Sequence, residues 1–109
     1  MIKVTVYRDN NQIKSFELSG HADSGPYGYD LVCAGVSAVS FGAVNAVLEL
    51  ADIDLAIEQG SDGGYLRVTI SDSEASESME KAQLLFEGMI VSLQTIERDY
   101  SQFIKIQSK

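Results

Sequence analysis

Apolar and polar residues alternate at the start of the chain, the pattern of a strand with one buried face. From Ile2 to Val6 every second residue is a branched aliphatic one, which predicts a strand over residues 2–8. A less regular run over 13–19 predicts a second strand. Residues 9–12, Asp-Asn-Asn-Gln, have the composition of a tight turn. The pattern therefore predicts a β-hairpin.

A long run rich in Ala and Val extends from Leu31 to about Leu50. Its branched residues recur at helical spacing, and a run of this length is too long for one strand. Small residues recur every four positions, which lets another element approach closely: Ala34, Ala38, Gly42 and Ala46. Apolar residues lie on more than one face. The pattern predicts a helix that is central in the fold.

Two shorter alternating runs follow the helix. Residues 53–59 alternate apolar and polar positions, and residues 65–70 form another strand-like run. Between them, 62–64 reads Asp-Gly-Gly, which is a hairpin turn signal. These features predict a second β-hairpin.

The last part of the chain has the period of an amphipathic helix. Ser71 and Glu74 have the spacing of a capping box, which marks a helix start. Apolar residues then recur three and four positions apart: Met79, Ala82, Phe86, Met89, Leu93, Ile96 and Tyr100. The tail 103–106 fits a last strand. The sum is a single α+β domain over 1–109, a small mixed or antiparallel sheet of four to five strands packed against two long helices.

The composition of the chain argues against several kinds of site and partner. The chain has 109 residues, a net charge of −8, one Cys and one His. One Cys forms no internal disulfide, and one Cys with one His cannot supply the four ligands of a structural zinc site. An acidic chain is repelled by phosphate backbones, which argues against direct nucleic-acid binding. No uninterrupted apolar run of membrane-spanning length and no signal peptide is visible, so we expect a cytoplasmic protein without membrane association.

The single Cys and single His lie on either side of the only Gly/Pro-rich loop, residues 20–30. Asp30 is a plausible N-cap of the long helix, which places Cys33 in its first turn. A thiolate there is favoured by the helix dipole, so we expect a lowered pKa for Cys33. His21 is placed to take the thiol proton, and backbone N–H groups of Cys33 and Ala34 to hold an oxyanion.

Simpler interpretations of these residues remain open at this point. A lone Cys often packs as a small hydrophobe, and a lone His is usually structural. Asp30 fits a cap better than the acid of a triad. Ser37, one helical turn beyond Cys33, can reach the site or simply pack.

The sequence around this loop resembles the family of ribosomal-processing cysteine proteases, Prp. The resemblance is carried by Gly-His-Ala at 20–22, by Leu-Val-Cys-Ala-Gly-Val-Ser-Ala at 31–38, by Phe-Gly-x-Val-Asn-Ala at 41–46 and by Val-Ser-Leu-Gln-Thr-Ile-Glu at 91–97. It covers essentially the whole chain. Leu31, where Ile is common in the family, is a conservative difference.

The resemblance implies a cysteine endopeptidase with His21 as general base and Cys33 as nucleophile, and with Asp30 and Ser37 as supporting residues. Such proteases remove a short N-terminal extension from a large-subunit ribosomal protein of bacteria, the one numbered twenty-seven, by cutting after an aromatic residue. The family is further implied to be homodimeric and cytoplasmic, with no metal and no cofactor.

The loop between the two residues is a candidate for contacting the substrate, through Gly25, Tyr27, Gly28 and Tyr29. The acidic chain suits a basic ribosomal substrate.

Two other functions remain possible from the sequence. One is a non-catalytic ribosome-assembly factor that binds a basic ribosomal protein, with Cys33 as a packed thiol. The other is a redox sensor, which would need a partner thiol.

Overall fold

The computed structural model describes residues 1–23, 25, 30–61, 63–71 and 75–109. This part of the chain forms five strands and two long helices, in the order β1 (Ile2–Asp9), β2 (Gln12–Ser19), α1 (Leu31–Ala46), β3 (Leu55–Gln59), β4 (Tyr65–Ile70), α2 (Ser76–Asp99) and β5 (Ile104–Ser108). The predicted α+β class, with a mixed sheet and two helices, is confirmed.

The five strands form one sheet in the order β3-β4-β2-β1-β5. The pairs β1–β2, β2–β4 and β3–β4 are antiparallel, whereas β5 lies parallel to β1. The first hairpin closes at Asn10 and Asn11, which both have positive φ, 53° and 67°. A two-residue turn with positive φ at both positions matches the right-handed twist of the flanking strands, and Asn tolerates positive φ well. The strand order brings the end of β2 beside the start of β4.

One hydrophobic core lies between the sheet and the two helices. Val4, Val6 and Phe16 of the sheet are fully buried, as are Phe86 and Leu93 of α2. The rings of Phe16 and Phe86 meet edge to face, with 5.1 Å between their centroids. This aromatic contact fixes α2 over β2.

Helix α1 is less enclosed than its sequence suggests. Its buried residues, Val32, Val36, Ser40 and Val44, lie on one side only. The small residues Ala34, Ala38 and Gly42 of the predicted ridge are exposed, and Phe41 and Leu31 are exposed beside them. The prediction of a central helix is therefore wrong for the single chain, because no other element in the described residues covers this apolar face.

The helical run that begins with α1 is longer than α1 itself. It continues into one π-helical turn, Val47–Ala51. The whole run, Leu31–Ala51, has 21 residues and a mean hydropathy of 2.0, so its length and composition would allow it to cross a membrane. The sequence expectation missed this because polar residues, including the charged Glu49, interrupt the run. Core helices of soluble proteins pass the same test, so this property alone does not place the chain in a membrane.

Helix α2 begins later than the capping-box pattern predicts. Its N-cap residue is Ala75, which makes no side-chain capping bond, and its first helical residue is Ser76. Ser71 directly follows β4 instead, and Glu74 lies outside the described residues. The predicted apolar stripe faces the core except at its end, where Tyr100 is the exposed C-cap residue.

Candidate active site

A groove of about 750 Å³ lies where the end of β2, the turn between β3 and β4, and the N-terminal half of α1 meet. All the predicted site residues that the structure describes line it, namely His21, Gly25, Asp30, Cys33, Ala34 and Ser37. Residues far apart in sequence thus share one concave surface, the usual form of a ligand site. The candidate loop residues Tyr27, Gly28 and Tyr29 lie outside the described residues.

Asp30 caps α1 and thereby places Cys33. Its Oδ1 accepts the backbone N–H of Cys33 at 3.0 Å, and its carbonyl oxygen accepts the N–H of Ala34 at 3.0 Å. Both amides predicted to hold an oxyanion are thus already bonded to Asp30. The oxyanion role of these two amides stays a prediction, and in this structure the residue that caps the helix accepts both of them.

The thiol of Cys33 is half-buried and contacts the segment just after His21. Its Sγ lies 3.3 Å from the backbone nitrogen of Ala22, which donates to it. Burial raises the pKa of the Cys33 thiol above its ordinary value, and the Asp30 carboxylate raises it further. The backbone N–H groups of Ala22 and Asp23 lower this pKa without outweighing the other two causes. The expected fall in the pKa of Cys33 is therefore corrected to a rise.

His21 stands at the exposed end of the segment that leaves β2. Gly20 precedes it with φ at +91°, a conformation that L side chains rarely adopt, and a Cβ there would also collide with the carbonyl oxygen of Met1. The N–H of Gly20 donates to the carbonyl oxygen of Gly64 at 2.9 Å, and the Met1 amine donates to the carbonyl of His21 at 2.6 Å. The backbone on both sides of His21 is thus held at the edge of the sheet.

The imidazole of His21 packs against Gly64, in the turn between β3 and β4. A Cβ at Gly64 would lie 2.7 Å from Nε2 of His21 and 3.2 Å from its Cε1. Within the described residues, no hydrogen bond joins this imidazole to the Sγ of Cys33. Such bonds are often long or absent in catalytic sites without substrate and tighten when substrate binds.

Three features of the groove escaped the sequence interpretation. The sequence interpretation assigned Gly64 only to a turn. The two adjacent glycines at 63 and 64 were the available signal for the close contact with His21. Asp23 has φ at +56°, and no sequence signal marked that conformation. Ser40 is fully buried on α1, and its hydroxyl has no hydrogen-bond partner in the described part of the chain. Among the residues that the structure describes, no group of three or more His, Cys, Asp or Glu side chains could hold a metal ion.

Comparison with known proteins places this geometry in a family. The family model described as cysteine protease Prp matches residues 1–105. The ribosomal processing cysteine protease Prp of Bacillus subtilis is 51% identical over 107 residues, covering 97% of this chain and 96% of the relative. The corresponding protein of Staphylococcus aureus is 40% identical over 108 residues, covering 99% and 97%.

Solved structures agree in fold. The crystal structure of an essential ribosomal processing protease Prp from S. aureus, in complex with a covalently linked product peptide, is similar with a TM-score of 0.90 and 40% identity over all of both chains. A crystal structure of that protease in complex with a substrate peptide is similar with a TM-score of 0.85 and 37% identity, again over all of both chains. The family model and the relatives together show that this chain belongs to the Prp family of cysteine proteases.

Proposed function

We propose that Cys33 is the nucleophile and His21 the general base of this cysteine protease. The supporting observation is their common groove, with Cys33 held by the cap of α1 and His21 held at the sheet edge. The covalently linked product peptide of the S. aureus relative agrees with a mechanism that passes through a covalent intermediate.

The reaction begins with a neutral thiol. The raised pKa of Cys33 at rest agrees with a mechanism in which His21 takes the thiol proton as the sulfur attacks. The imidazole is exposed and packs against Gly64, and the proposed mechanism requires it to turn toward the sulfur. The thiolate then attacks the peptide carbonyl, the amine leaves with the proton from His21, and water hydrolyses the thioester.

The groove favours an apolar substrate side chain. Its walls include Ile2, Leu18, Val36, Phe41 and Leu66, all apolar. Such a surface gains free energy by removing an aromatic or aliphatic side chain from water. This supports cleavage after an aromatic residue.

We infer that the substrate is the N-terminal extension of a large-subunit ribosomal protein, the one numbered twenty-seven. The relatives in B. subtilis and S. aureus are both named ribosomal processing proteases. A net charge of −8 favours encounter with a basic ribosomal protein. The reaction would take place in the cytoplasm, where ribosomes are assembled.

A homodimer is part of this proposal. The exposed face of α1 offers Leu31, Ala34, Ala38, Phe41 and Gly42 to another surface. Small side chains at four-residue spacing allow two helices to pack closely. Phe41 and Ala34 also line the groove, so a second copy on this face would border the site.

The experiment is incubation of the purified protein with the unprocessed ribosomal protein, followed by mass measurement of the products. We expect one cut after an aromatic residue near the substrate's N-terminus, and no cut by C33A. His21→Ala should fail in the same way while keeping the wild-type circular dichroism spectrum. Cleavage by either variant at the wild-type rate would refute the assigned roles.

A further inference from the structure

The groove follows α1 well beyond the proposed nucleophile. Cys33, Ser37 and Ser40 all line it, and they occupy positions i, i+4 and i+7 of one helix, which share one face. Seven helical residues rise about 10 Å along the axis. The groove therefore continues past Cys33 for about two turns of α1, as far as Ser40.

Ser40 differs from Ser37 in its surroundings. Ser37 is exposed, so solvent can hydrate its hydroxyl. Ser40 is fully buried, and in the described part of the chain its hydroxyl has no hydrogen-bond partner. Even the carbonyl of Val36, one turn earlier and the usual acceptor for a helical serine, does not accept from it. The hydroxyl therefore lowers the stability of the free protein and contributes no structural bond in return.

The groove around Ser40 is otherwise apolar. Ile2, Leu18, Val36 and Leu66 line it, and all four are buried. Leu18 of β2 and Leu66 of β4 are direct partners across the two strands, so their side chains lie side by side on one face of the sheet. A peptide that enters this part of the groove leaves water for an apolar surface.

The substrate brings hydrogen-bonding groups to that surface through its main chain. Aliphatic and phenyl side chains fit the apolar walls but carry no strong donor or acceptor. Each main-chain N–H and C=O does, and burying one without a partner costs free energy. An extended peptide advances about 3.3 Å per residue, so a point about 10 Å from Cys33 lies about three residues from the scissile bond.

We propose that Ser40 is a substrate-binding residue whose hydroxyl bonds a main-chain group about three residues before the scissile bond. The proposal rests on the proposed function, in which Cys33 attacks a peptide that lies in this groove. The part of the substrate before the cut is assigned to α1 because it ends in the aromatic residue that the apolar walls favour. The proposal requires Oγ of Ser40 to face the groove when the peptide is bound, so that the two buried polar groups satisfy each other.

Ser40→Ala tests the proposal because it removes the hydroxyl and little else. We expect kcat/KM on a peptide spanning the cut to fall about 3- to 10-fold, mainly through a higher KM, since one neutral hydrogen bond is lost. The melting temperature should stay the same or rise, because the removed group has no partner in the free protein. A merely structural role predicts that melting temperature and activity fall together.

Ester substitution in the peptide tests whether the hydroxyl contacts the main chain. Replacing one amide at a time by an ester removes one N–H and weakens the preceding carbonyl as an acceptor. In the wild-type enzyme we expect a loss of kcat/KM at the amide about three residues before the cut. In S40A that ester should cost nothing further, whereas an ester elsewhere should cost both enzymes equally.

Ser15→Ala is the matched control. Ser15 is also a buried serine, but it lies on β2 and does not line the groove. We expect S15A to keep the wild-type kcat/KM and the wild-type response to every ester.

The outcomes separate this proposal from the proposed function. Wild-type kcat/KM in S40A, or equal ester costs in S40A and wild type at every position, overturns the role of Ser40 and leaves the dyad standing. A melting temperature that falls together with the activity of S40A overturns it as well. Cleavage by C33A would instead overturn the proposed function.

Discussion

The imidazole of His21 rests on the α-carbon of Gly64, so closely that a Cβ on Gly64 would lie 2.7 Å from Nε2. The backbone of Gly64 does not require glycine, since the described glycines with positive φ are Gly20 and Gly63. A Cβ at this position would push the imidazole aside. The turn between β3 and β4 is thus in contact with the proposed general base at rest.

Gly64→Ala should displace the imidazole and leave the sheet intact. We expect kcat to fall by about tenfold or more, because a general base contributes on the order of 10²–10⁴ to the rate and depends on its position. KM and the unfolding temperature should stay close to wild type. Steady-state kinetics and thermal melts measure both effects.

Gly88→Ala is the matched control. Gly88 lies exposed on α2, and a Cβ there meets no atom within 4 Å. This variant should keep full activity and gain stability, by about 1 kcal/mol, because Ala is the better helix former. A normal kcat in G64A, with G88A behaving as stated, would show that the turn does not position His21.

The reactivity of Cys33 should depend on pH in a way that reports its raised pKa. An unperturbed thiol titrates near about 8.5, so in this protein alkylation by iodoacetamide should still accelerate above that pH. Asp30→Asn keeps a good cap but removes the negative charge that helps to raise the pKa. We expect D30N to react faster at pH 7, because the pKa of Cys33 falls when the Asp30 charge is removed. An unchanged rate profile in D30N would contradict the role of the Asp30 charge.

The ion pair between Arg8 and Glu87 should make stability depend on pH. The guanidinium of Arg8 donates two bonds of 2.8 Å to the Glu87 carboxylate and holds its pKa below the usual value. The folded pKa is thus below the unfolded one, so the pair stabilises above the unfolded pKa and is lost as pH falls through the folded value.

Glu87→Gln measures that contribution. Both side chains are partly exposed, so we expect a loss of only about 0.5–1 kcal/mol in the free energy of unfolding at pH 7. The difference from wild type should shrink in urea titrations below about pH 4, as the carboxylate takes up protons. Glu80→Gln, at an exposed position on the same helix, should show no comparable pH dependence.

Ser40→Ala should stabilise the protein or leave it unchanged. The Ser40 hydroxyl is fully buried without a partner in the described residues, and an unsatisfied buried group costs about 1–3 kcal/mol. Removing it should raise the melting temperature by a few degrees, since about 1 kcal/mol corresponds to roughly 4–8 °C in a small domain. A clear drop in melting temperature would mean that the hydroxyl is satisfied in solution.

Local patterns in the sequence predicted most of the fold. Alternation identified the strands, and the 3.6-residue period identified both helices, because these patterns directly express which face is buried. The parallel pairing of β1 with β5 is not a local property, since it depends on where α2 returns the chain. The exposure of Ala38 and Gly42 was also missed. The sequence of a helix shows that one of its faces is apolar, but it does not show which element, if any, packs on that face.

The site was partly predictable. The capping rule located Asp30 and therefore Cys33, while the contact of His21 with Gly64 joins two separate turns and leaves no local signal. The pKa of Cys33 was wrongly expected to fall, because the dipole argument omitted the charge of the residue that caps the helix. Burial and a neighbouring carboxylate outweigh the backbone amides at this position.

The most direct test of the account is the intact mass of the enzyme during turnover. The protein is mixed with a peptide spanning the cleavage site, quenched in acid within one turnover, and its mass is recorded. We predict a species heavier than the free enzyme by the mass of the N-terminal product acid less one water, because the acyl group replaces the thiol hydrogen and the other fragment leaves as the amine. This adduct should map to Cys33 and be absent from C33A, which should not cut the peptide. Cleavage without this adduct, together with full activity in C33A, would contradict the account.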